Sequence, residues 1–556
     1  MGEFIFFSRG WHVKLDNNLN LYFPTQIKGM DYMPIVSLNH LSKSYGDRLL
    51  FDIAHLQIES HDRIGLVGAN GSGKSTLFRL VKGLEEADSG TIERHGSIEL
   101  LPQLKETDTV KSGGETTADY IIQALNKQPK LLLADEPTTH LDISHIEWVE
   151  KSFRRFTGAF LVVSHDRAFL DKVCTSIWEL EDQKLTVYKG NYSDYKEAKA
   201  RELKNQQTEY EKYISKRNQL IEARDNKVKQ AVNATKSKKK VGDAEYNLKG
   251  SAPYFQKKSK KLHQVQKSMD TRIEKLEKVE KPKEQATIRI EVPDMDKLNR
   301  RFIIRMTDCV GKVPGKTLWN KATLSIKGGD KVALVGPNGS GKTTLINMLL
   351  NGDSSIQRSP SLRIGYFSQS LSNLDTSLSI LDNVKKDAVQ SETLIRIILA
   401  QLLFKGEDVY KPISVLSGGE RVKVSLAKLI AGNYNTLVLD EPTNFLDIQA
   451  VEALESLLQD YEGSVLFVSH DRSFINAVAS KVWVIEDQHI HTFDGNLNQW
   501  EESKEQKEQV TTAEEELLRI ENRIAEVLGA LSLEYSEEKD EEFNELIRRK
   551  RELLSD

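Results

Sequence analysis

Cysteine is almost absent: Cys174 and Cys309 are the only two in 556 residues. One thiol in each half forms neither a metal-binding spacing nor a disulfide framework, which excludes a zinc-stapled or disulfide-built fold and points to a reducing compartment. Long apolar runs are missing as well. None approaches the ~20 residues needed to span a bilayer. The apolar stretch Phe4-Ile-Phe-Phe7 is too short for a signal-peptide core and is followed by Arg9. A cytosolic protein without a membrane domain is expected. Net charge is also small, −4, but it sums unlike parts. Residues 191–285 hold 25 Lys/Arg against 14 Asp/Glu, a local net of +11, which leaves −15 for the remainder. A basic insert on an acidic body suggests that the insert meets a polyanion. A solvated, charged coiled coil has the same composition, so both readings stay open here.

The length suggests roughly three or four domains. Residues 1–32 look foreign to the core, and apolar alternation begins at Ile35, Leu38 and Leu41. Met30 or Met33 is the expected native start.

What the chain does contain is a long internal repeat. Gly68, Ala69, Asn70, Gly71, Ser72, Gly73, Lys74, Ser75 and Thr76 recur as Gly336, Pro337, Asn338, Gly339, Ser340, Gly341, Lys342, Thr343 and Thr344. Ser112, Gly113, Gly114 and Glu115 recur as Ser417, Gly418, Gly419 and Glu420. Asp135-Glu136 and His165 recur as Asp440-Glu441 and His470. The spacing is kept: 23 residues from Ser to Asp and 30 from Asp to His in each half. Four motifs in register twice over are not chance.

Each Gly-x-x-x-x-Gly-Lys-Ser/Thr loop follows an apolar strand and opens a helical pattern, the context a phosphate-binding loop needs. Glycines let backbone N–H groups turn toward phosphates, and the helix N-terminus adds its dipole. Lys74 and Lys342 would neutralise the β- and γ-phosphates of ATP. Ser75 and Thr343 would place hydroxyls on Mg²⁺, with Asp135 and Asp440 in its shell. Glu136 and Glu441 are the candidate bases for the attacking water. His165 and His470 could sense the γ-phosphate. Gln103 and Gln369 follow short strands and could hold water or Mg²⁺.

With these motifs the chain resembles the ATP-binding-cassette family. The resemblance implies two cassettes packed head to tail, each ATP held between one half's phosphate loop and the other half's Ser-Gly-Gly-Glu signature. Lys74, Gln103, Asp135, Glu136 and His165 would face Ser417–Glu420. Lys342, Gln369, Asp440, Glu441 and His470 would face Ser112–Glu115. The halves differ. Gln103 to Ser112 is 9 residues and Gln369 to Ser417 is 48, so the first half lacks most of the small helical subdomain. Lys111 stands before the first signature where the second has Leu416. Tyr45 sits where an aromatic would stack on adenine, whereas the region near Val310-Gly311-Lys312 has none. Unequal sites are expected, the second binding adenine less well.

Between the repeats, helical spacing appears over about 196–225 and 259–281, the latter ending at Pro282. An antiparallel hairpin follows, with a tip at 227–258. Lys236, Lys238, Lys239, Lys240, Lys249, Lys257 and Lys258, with Tyr254 and Phe255 nearby, suit phosphate contact and base stacking. A flexible solvated loop fits them too. The segment 501–556 carries 18 acidic and 9 basic residues with a helical stripe, Leu517, Ile520, Ile524, Val527, Leu528 and Leu531. The stripe should pack on its own second helix or on a partner.

Tandem cassettes fused by a basic hairpin resemble the ABC-F translation factors, and more narrowly the Vga-type antibiotic-resistance members. The carriers include Leu101–Lys105, Leu133–Thr139, Lys189–Ser193, Pro253–Phe255 and Asp408–Ser417; Phe445, where the family usually has His, is a departure. The expected fold is α/β: two tandem ABC-type P-loop ATPase domains, an α-helical hairpin linker and a C-terminal helical extension. The expected boundaries are 1–32 extension, 33–190 first ATPase domain, 191–285 linker, 286–500 second ATPase domain and 501–556 extension. The resemblance implies a monomeric ATPase, using ATP and Mg²⁺, that binds the ribosomal exit site. There the tip would meet large-subunit rRNA and P-site tRNA and dislodge lincosamides, pleuromutilins or streptogramin A. The alternatives are a housekeeping ABC-F factor, a transporter ATPase subunit and a chromosome-maintenance ATPase.

Overall fold

The computed structural model describes residues 33–102, 113–139, 141–236, 251–274, 276, 301–352, 355–368, 374–404, 406–533 and 537–555. It also describes two paired two-residue strands, Lys14–Leu15 and Leu21–Tyr22. Gln103, Ser112, Gln369, Lys238, Lys239, Lys240 and Lys249 lie outside the described residues.

Each half is a six-stranded sheet, and the strand order is the same in both. In the first it runs Lys184–Lys189, Ser176–Glu181, Arg63–Val67, Ala159–Val163, Leu131–Asp135, Ile98–Leu101. In the second it runs His489–Asp494, Lys481–Glu486, Lys331–Val335, Ser464–Val468, Thr436–Asp440, Ile364–Phe367. All neighbours are parallel except the terminal hairpin. Parallel strands bury both faces, which is why Leu131-Leu-Leu-Ala and Ala159-Phe-Leu-Val-Val163 are apolar throughout rather than alternating. In an open parallel sheet ligands gather beyond the carboxyl ends of the strands. The phosphate loops, Asp135-Glu136 and Asp440-Glu441 all sit there.

A three-stranded antiparallel sheet covers each phosphate-loop helix. Arg48–Ile58, Val36–Tyr45 and Ser89–Arg94 form the first; Lys316–Lys327, Phe302–Val313 and Ile356–Arg358 form the second. The glycines opening those helices are left-handed, Gly73 at φ 108° and Gly341 at φ 103°. A Cβ on Gly341 would lie 2.5 Å from the fully buried Trp319 ring. Glycine is therefore required twice over, by conformation and by space. Phe51 fills the same place beneath Gly73.

The second half carries a helical layer before its signature: Ile380–Lys385, Glu392–Gln401 and two 3-10 turns, Gly406–Tyr410 and Ile413–Val415. In the first half only residues 102–112 separate the strand Ile98–Leu101 from the helix Gly113–Asn126. Tyr120 and Ile122 of that helix stay exposed.

The linker is longer in helix than the apolar spacing suggests. Tyr192–Lys236 is one helix of 45 residues and Ser251–Glu274 another of 24. Lys236 ends the first; Tyr254, Phe255, Lys257 and Lys258 lie in the second. Residues 227–236 and 251–258 of the expected tip are therefore helical, and 237–250 lie outside the described residues. Straight-chain charged residues continue a helix without an apolar stripe, and Pro253 is tolerated because it falls in the first turn. The two helices run antiparallel, with Arg224 3.7 Å from Asp270. The C-terminal helices Leu497–Leu533 and Glu537–Ser555 also pair with each other, through Arg523–Glu542 and Lys550–Glu521. Ile520 and Val527 are buried, and Leu528 is exposed.

Replacing Trp319 by Ala should cost the second half about 3–5 kcal/mol, the usual range for deleting a fully buried large aromatic. Thermal unfolding should show an earlier transition for that half; an unchanged profile would contradict the packing role.

Candidate functional site

The two halves meet face to face across their phosphate loops. In the first site the backbone N–H of Asn70 donates to Asp447 Oδ2 at 3.1 Å, and its side-chain amide donates to the Phe445 carbonyl at 3.2 Å. In the second, the backbone N–H of Asn338 donates to Asp142 Oδ2 at 3.0 Å. Each Asp uses its other oxygen as the N-cap of its own helix, Ile143–Arg155 or Ile448–Asp460. One carboxylate therefore fixes a helix start and receives the other half's loop. Although burial opposes it, the N–H donors of Asn338 and His145 hold Asp142 well below the usual carboxylate range.

The signature of the second half completes the first site. Ser417 caps the helix Gly418–Ala431 in a reciprocal capping box with Glu420. A Cβ on Gly419 would lie 2.6 Å from the Phe445 carbonyl and 3.5 Å from the Asn70 amide. Of the signature expected to face the second site, Ser112 lies outside the described residues, and Gly113, Gly114 and Glu115 start the helix Gly113–Asn126.

Within each half the motif residues converge. Lys74 Nζ donates to the Gly68 and Ala69 carbonyls at 2.7 and 3.0 Å; Lys342 Nζ donates to those of Gly336 and Pro337 at 2.8 and 3.1 Å. Burial lowers both lysine pKa values, while facing carboxylates pull them up. For Lys74 these are Glu136, Asp447 and Asp135; for Lys342 they are Glu441, Asp142 and Asp440. One of each set, Asp447 or Asp142, comes from the opposite half.

Ser75 Oγ donates to Asp135 Oδ2 at 2.7 Å, and Thr343 Oγ1 to Asp440 Oδ2 at 3.4 Å. A hydroxyl beside a carboxylate is the hard-oxygen pair that suits Mg²⁺. The Ser72 and Ser340 hydroxyls are buried with no hydrogen-bond partner among the described residues. A bound phosphate chain would satisfy both.

Glu136 and Glu441 adopt left-handed backbone, φ 54° and 50°. Such conformations cost about 1–3 kcal/mol in a non-glycine residue and persist where the surroundings fix them. Their N–H groups donate to Val163 and Val468 carbonyls. Glu136 Oε2 accepts from the His165 N–H at 3.2 Å and from the Thr139 hydroxyl at 3.3 Å. His165 Nε2 lies 3.4 Å from Glu136 Oε1, and His470 Nε2 lies 3.3 Å from Glu441 Oε1. Burial pushes the Glu136 carboxyl up to about 8, with the Asp135 charge adding to it. Burial pushes Glu441 up to about 7, against the pull of Lys342. Burial and Lys74 push the His165 imidazole down to about 4, so it is neutral. Glu136 and His165 line a cavity of about 870 Å³ together with Lys342, Thr343, Asp440 and Glu441, so both halves contribute to one space.

The positions expected to meet adenine differ. Tyr45 pairs with Arg48 across a two-residue turn, and Val313 pairs with Lys316 in the same way. Val313 thus stands at the position of Tyr45 and lines the cavity with Lys316 and Leu318. Tyr45 is half exposed, its hydroxyl donating to Glu85 at 2.5 Å.

The motifs did not mark Asp142 and Asp447, although they repeat at the same 305-residue offset as Asp135 and Asp440. That offset was the available signal.

An ABC transporter family model matches residues 51–109 and 319–444, and a second model, also described as ABC transporter, matches 178–245. The chain is 33% identical over 557 residues to a ribosome protection protein, VmlR, of Bacillus subtilis strain 168, covering 93% of this chain and 98% of that one. The chain belongs to the ABC-F family of ATPases. It is 32% identical to an erythromycin resistance ATP-binding protein, MsrA, of Staphylococcus epidermidis, covering 82% of this chain and 98% of that one. Among solved structures, the RNase-L inhibitor superposes with a TM-score of 0.55 at 17% identity, over 83% of this chain and 91% of that one, a likeness of fold. As an ABC-F member the chain binds and hydrolyses ATP. No helix among the described residues is long and apolar enough to cross a membrane.

Asp142→Ala and Asp447→Ala should each lower ATP turnover several-fold, since each removes both a cap worth about 1 kcal/mol and a bond across the halves. Steady-state phosphate release checks this; turnover at the parental rate in both variants would contradict the role.

Proposed function

We propose that this ABC-F ATPase is a ribosome-protection factor of the Vga type. It binds the exit site of a drug-stalled ribosome and removes lincosamide, pleuromutilin or streptogramin A drugs from the peptidyl-transferase centre. The observation that carries the reading is the similarity to VmlR along 93% of this chain. The resistance named for the second relative supports it.

The chemistry assigned to each site follows from its residues. Lys74 and Lys342 take the β- and γ-phosphates, and the Asn70 and Asn338 loops wrap the chain. Mg²⁺, held by Ser75 and Asp135 or by Thr343 and Asp440, would neutralise charge developing on the phosphate oxygens. Glu136 and Glu441 hold the attacking water and accept its proton. His165 and His470, each beside its glutamate, orient that carboxylate and meet the γ-phosphate.

ATP favours the paired halves because it contacts both, and a ligand shifts an equilibrium only by its differential affinity. The paired halves then present the linker, whose basic end reaches large-subunit rRNA and the P-site tRNA acceptor. The +11 net charge of residues 191–285 suits that polyanion. Hydrolysis releases the pair and the factor leaves. Gln103 and Gln369 are assigned to the Mg²⁺ and water shell.

The double variant Glu136→Gln, Glu441→Gln should keep ATP binding, lose turnover and co-sediment with ribosomes in ATP well above the parent. Pelleting no greater than the parent's would contradict the mechanism. Tyr45→Ala should weaken ATP binding at the first site by roughly ten- to hundredfold, the range for a lost base–aromatic stack. Titration with a fluorescent ATP analogue checks it, and Val313→Ala should change little.

A further inference from the structure

The linker helix Tyr192–Lys236 is attached at its base by two rows of side chains, each spaced four residues apart. One row grips its own half. Tyr195 donates to Glu179 at 2.6 Å, and Lys199 pairs with Glu179 at 2.8 Å and Glu181 at 3.0 Å. The other row grips the opposite half. Tyr192 donates to Glu452 Oε1 at 3.3 Å, and Lys196 donates to the same oxygen at 2.6 Å. Arg167 of the first half comes within 3.9 Å of that oxygen and forms a fork with Glu455, one arm at 3.1 Å.

The repeat supplies an internal control, because every one of these positions has a counterpart 305 residues away. Lys199–Glu181 recurs as Lys504–Glu486 at 2.7 Å, so the grip on the own half is kept at the base of the C-terminal helix. The grip across the halves is not. Tyr192 becomes Leu497 and Lys196 becomes Glu501. Arg472 reaches Glu147, the counterpart of Glu452, but the two positions that hold Tyr192 and Lys196 in the first corner are Leu497 and Glu501 here, neither of them a cation. Burial pushes the Glu501 carboxyl above its usual range, against the pull of Arg472 and with the push of Glu147. A second difference reinforces the first. Lys172 occupies Glu150 at 2.9 Å, whereas its counterpart Ala477 leaves Glu455 to Arg167. Opposite charge at one corner and like charge at its mirror image give the two helices different ties to the closed pair.

We propose that Glu452 is a positioning residue that ties the linker helix, through Tyr192, Lys196 and Arg167, to closure of the two ATPase halves. Tyr195 and Lys199 are the hinge, which stays on the first half in every state. Tyr192 and Lys196 are the latch, which exists only while Glu452 is brought up by closure. The mirror corner at Glu147 has no latch, so closure sets the linker's direction and leaves the C-terminal hairpin free of it. The inference rests on the reading that the closed halves present the linker, but its test involves no ribosome.

The test uses the full chain carrying Glu136→Gln and Glu441→Gln with saturating ATP and Mg²⁺. Cys174 and Cys309 are buried, so introduced cysteines take label selectively. Labels at Leu203→Cys and Val389→Cys, both exposed, measure linker against second half by electron–electron double resonance. Labels at Leu84→Cys and Val415→Cys, also exposed, measure closure itself. Glu452→Gln should leave the closure distance in place and lower the population at the parental linker distance roughly two- to fivefold, the range for a partly exposed ion pair. Glu147→Gln should leave both distances unchanged. The swap Glu452→Lys with Lys196→Glu should restore part of the linker population. An unchanged linker distribution in Glu452→Gln would overturn the proposal. So would equal broadening in Glu147→Gln, or loss of closure in Glu452→Gln, since that residue would then hold the halves and not the linker. Ribosome co-sedimentation of the same variants is a separate readout, so failure of the latch and failure of ribosome protection are distinguishable.

Discussion

The structure depends on one exchanged hydrogen bond. The backbone N–H of an asparagine in each phosphate loop donates to an aspartate of the opposite half: Asn70 to Asp447, and Asn338 to Asp142. Each of those aspartates also caps a helix, so its direction is set before the halves meet. Without the exchange, neither Asp447 beside Lys74 nor Asp142 beside Lys342 would be in place. Each buried lysine would then lose one of the three carboxylates that face it. The catalytic geometry is thus a property of the pair.

Duplication makes the two halves alike, and the differences then become informative. The sheets repeat strand for strand, and so do the strained backbones of Glu136 and Glu441. The hairpin turns do not, since the place of Tyr45 in the first half is taken by Val313 in the second. The helical layer does not, since residues 380–415 have no counterpart of that length. The corners at the bases of the two long helices do not, since the place of Lys196 is taken by Glu501. On the proposed latch this asymmetry ties one long helix to closure and not the other, because two equal corners would tie both helices equally.

Much of this was legible in the sequence. Five-residue apolar runs followed by Gly-rich loops or Asp-Glu read as buried strands ending at a phosphate site. The convergence of Lys74, Ser75, Asp135 and Glu136 follows from the same strand ends. Three things were not legible. Asp142 and Asp447 act across the halves, and contact between separate units leaves no periodicity. The linker helices run further than the apolar spacing suggests, because a charged helix with little buried surface shows no apolar stripe; helix continues past 225 to Lys236 and is present from Ser251, before 259. The position matching Tyr45 is Val313, beyond the expected 310–312, because the hairpin register is set by the turn at Gly315.

The central claim is that ATP-driven pairing of these halves protects ribosomes from drugs. The most direct test is the inhibitory concentration of a lincosamide, a pleuromutilin and a streptogramin A against a susceptible Gram-positive host expressing the full chain. The account predicts a clear rise for at least one of them, abolished when Lys74 and Lys342 are both replaced by Ala. No rise for any of the three, with the protein folded and binding ATP in those cells, would contradict it.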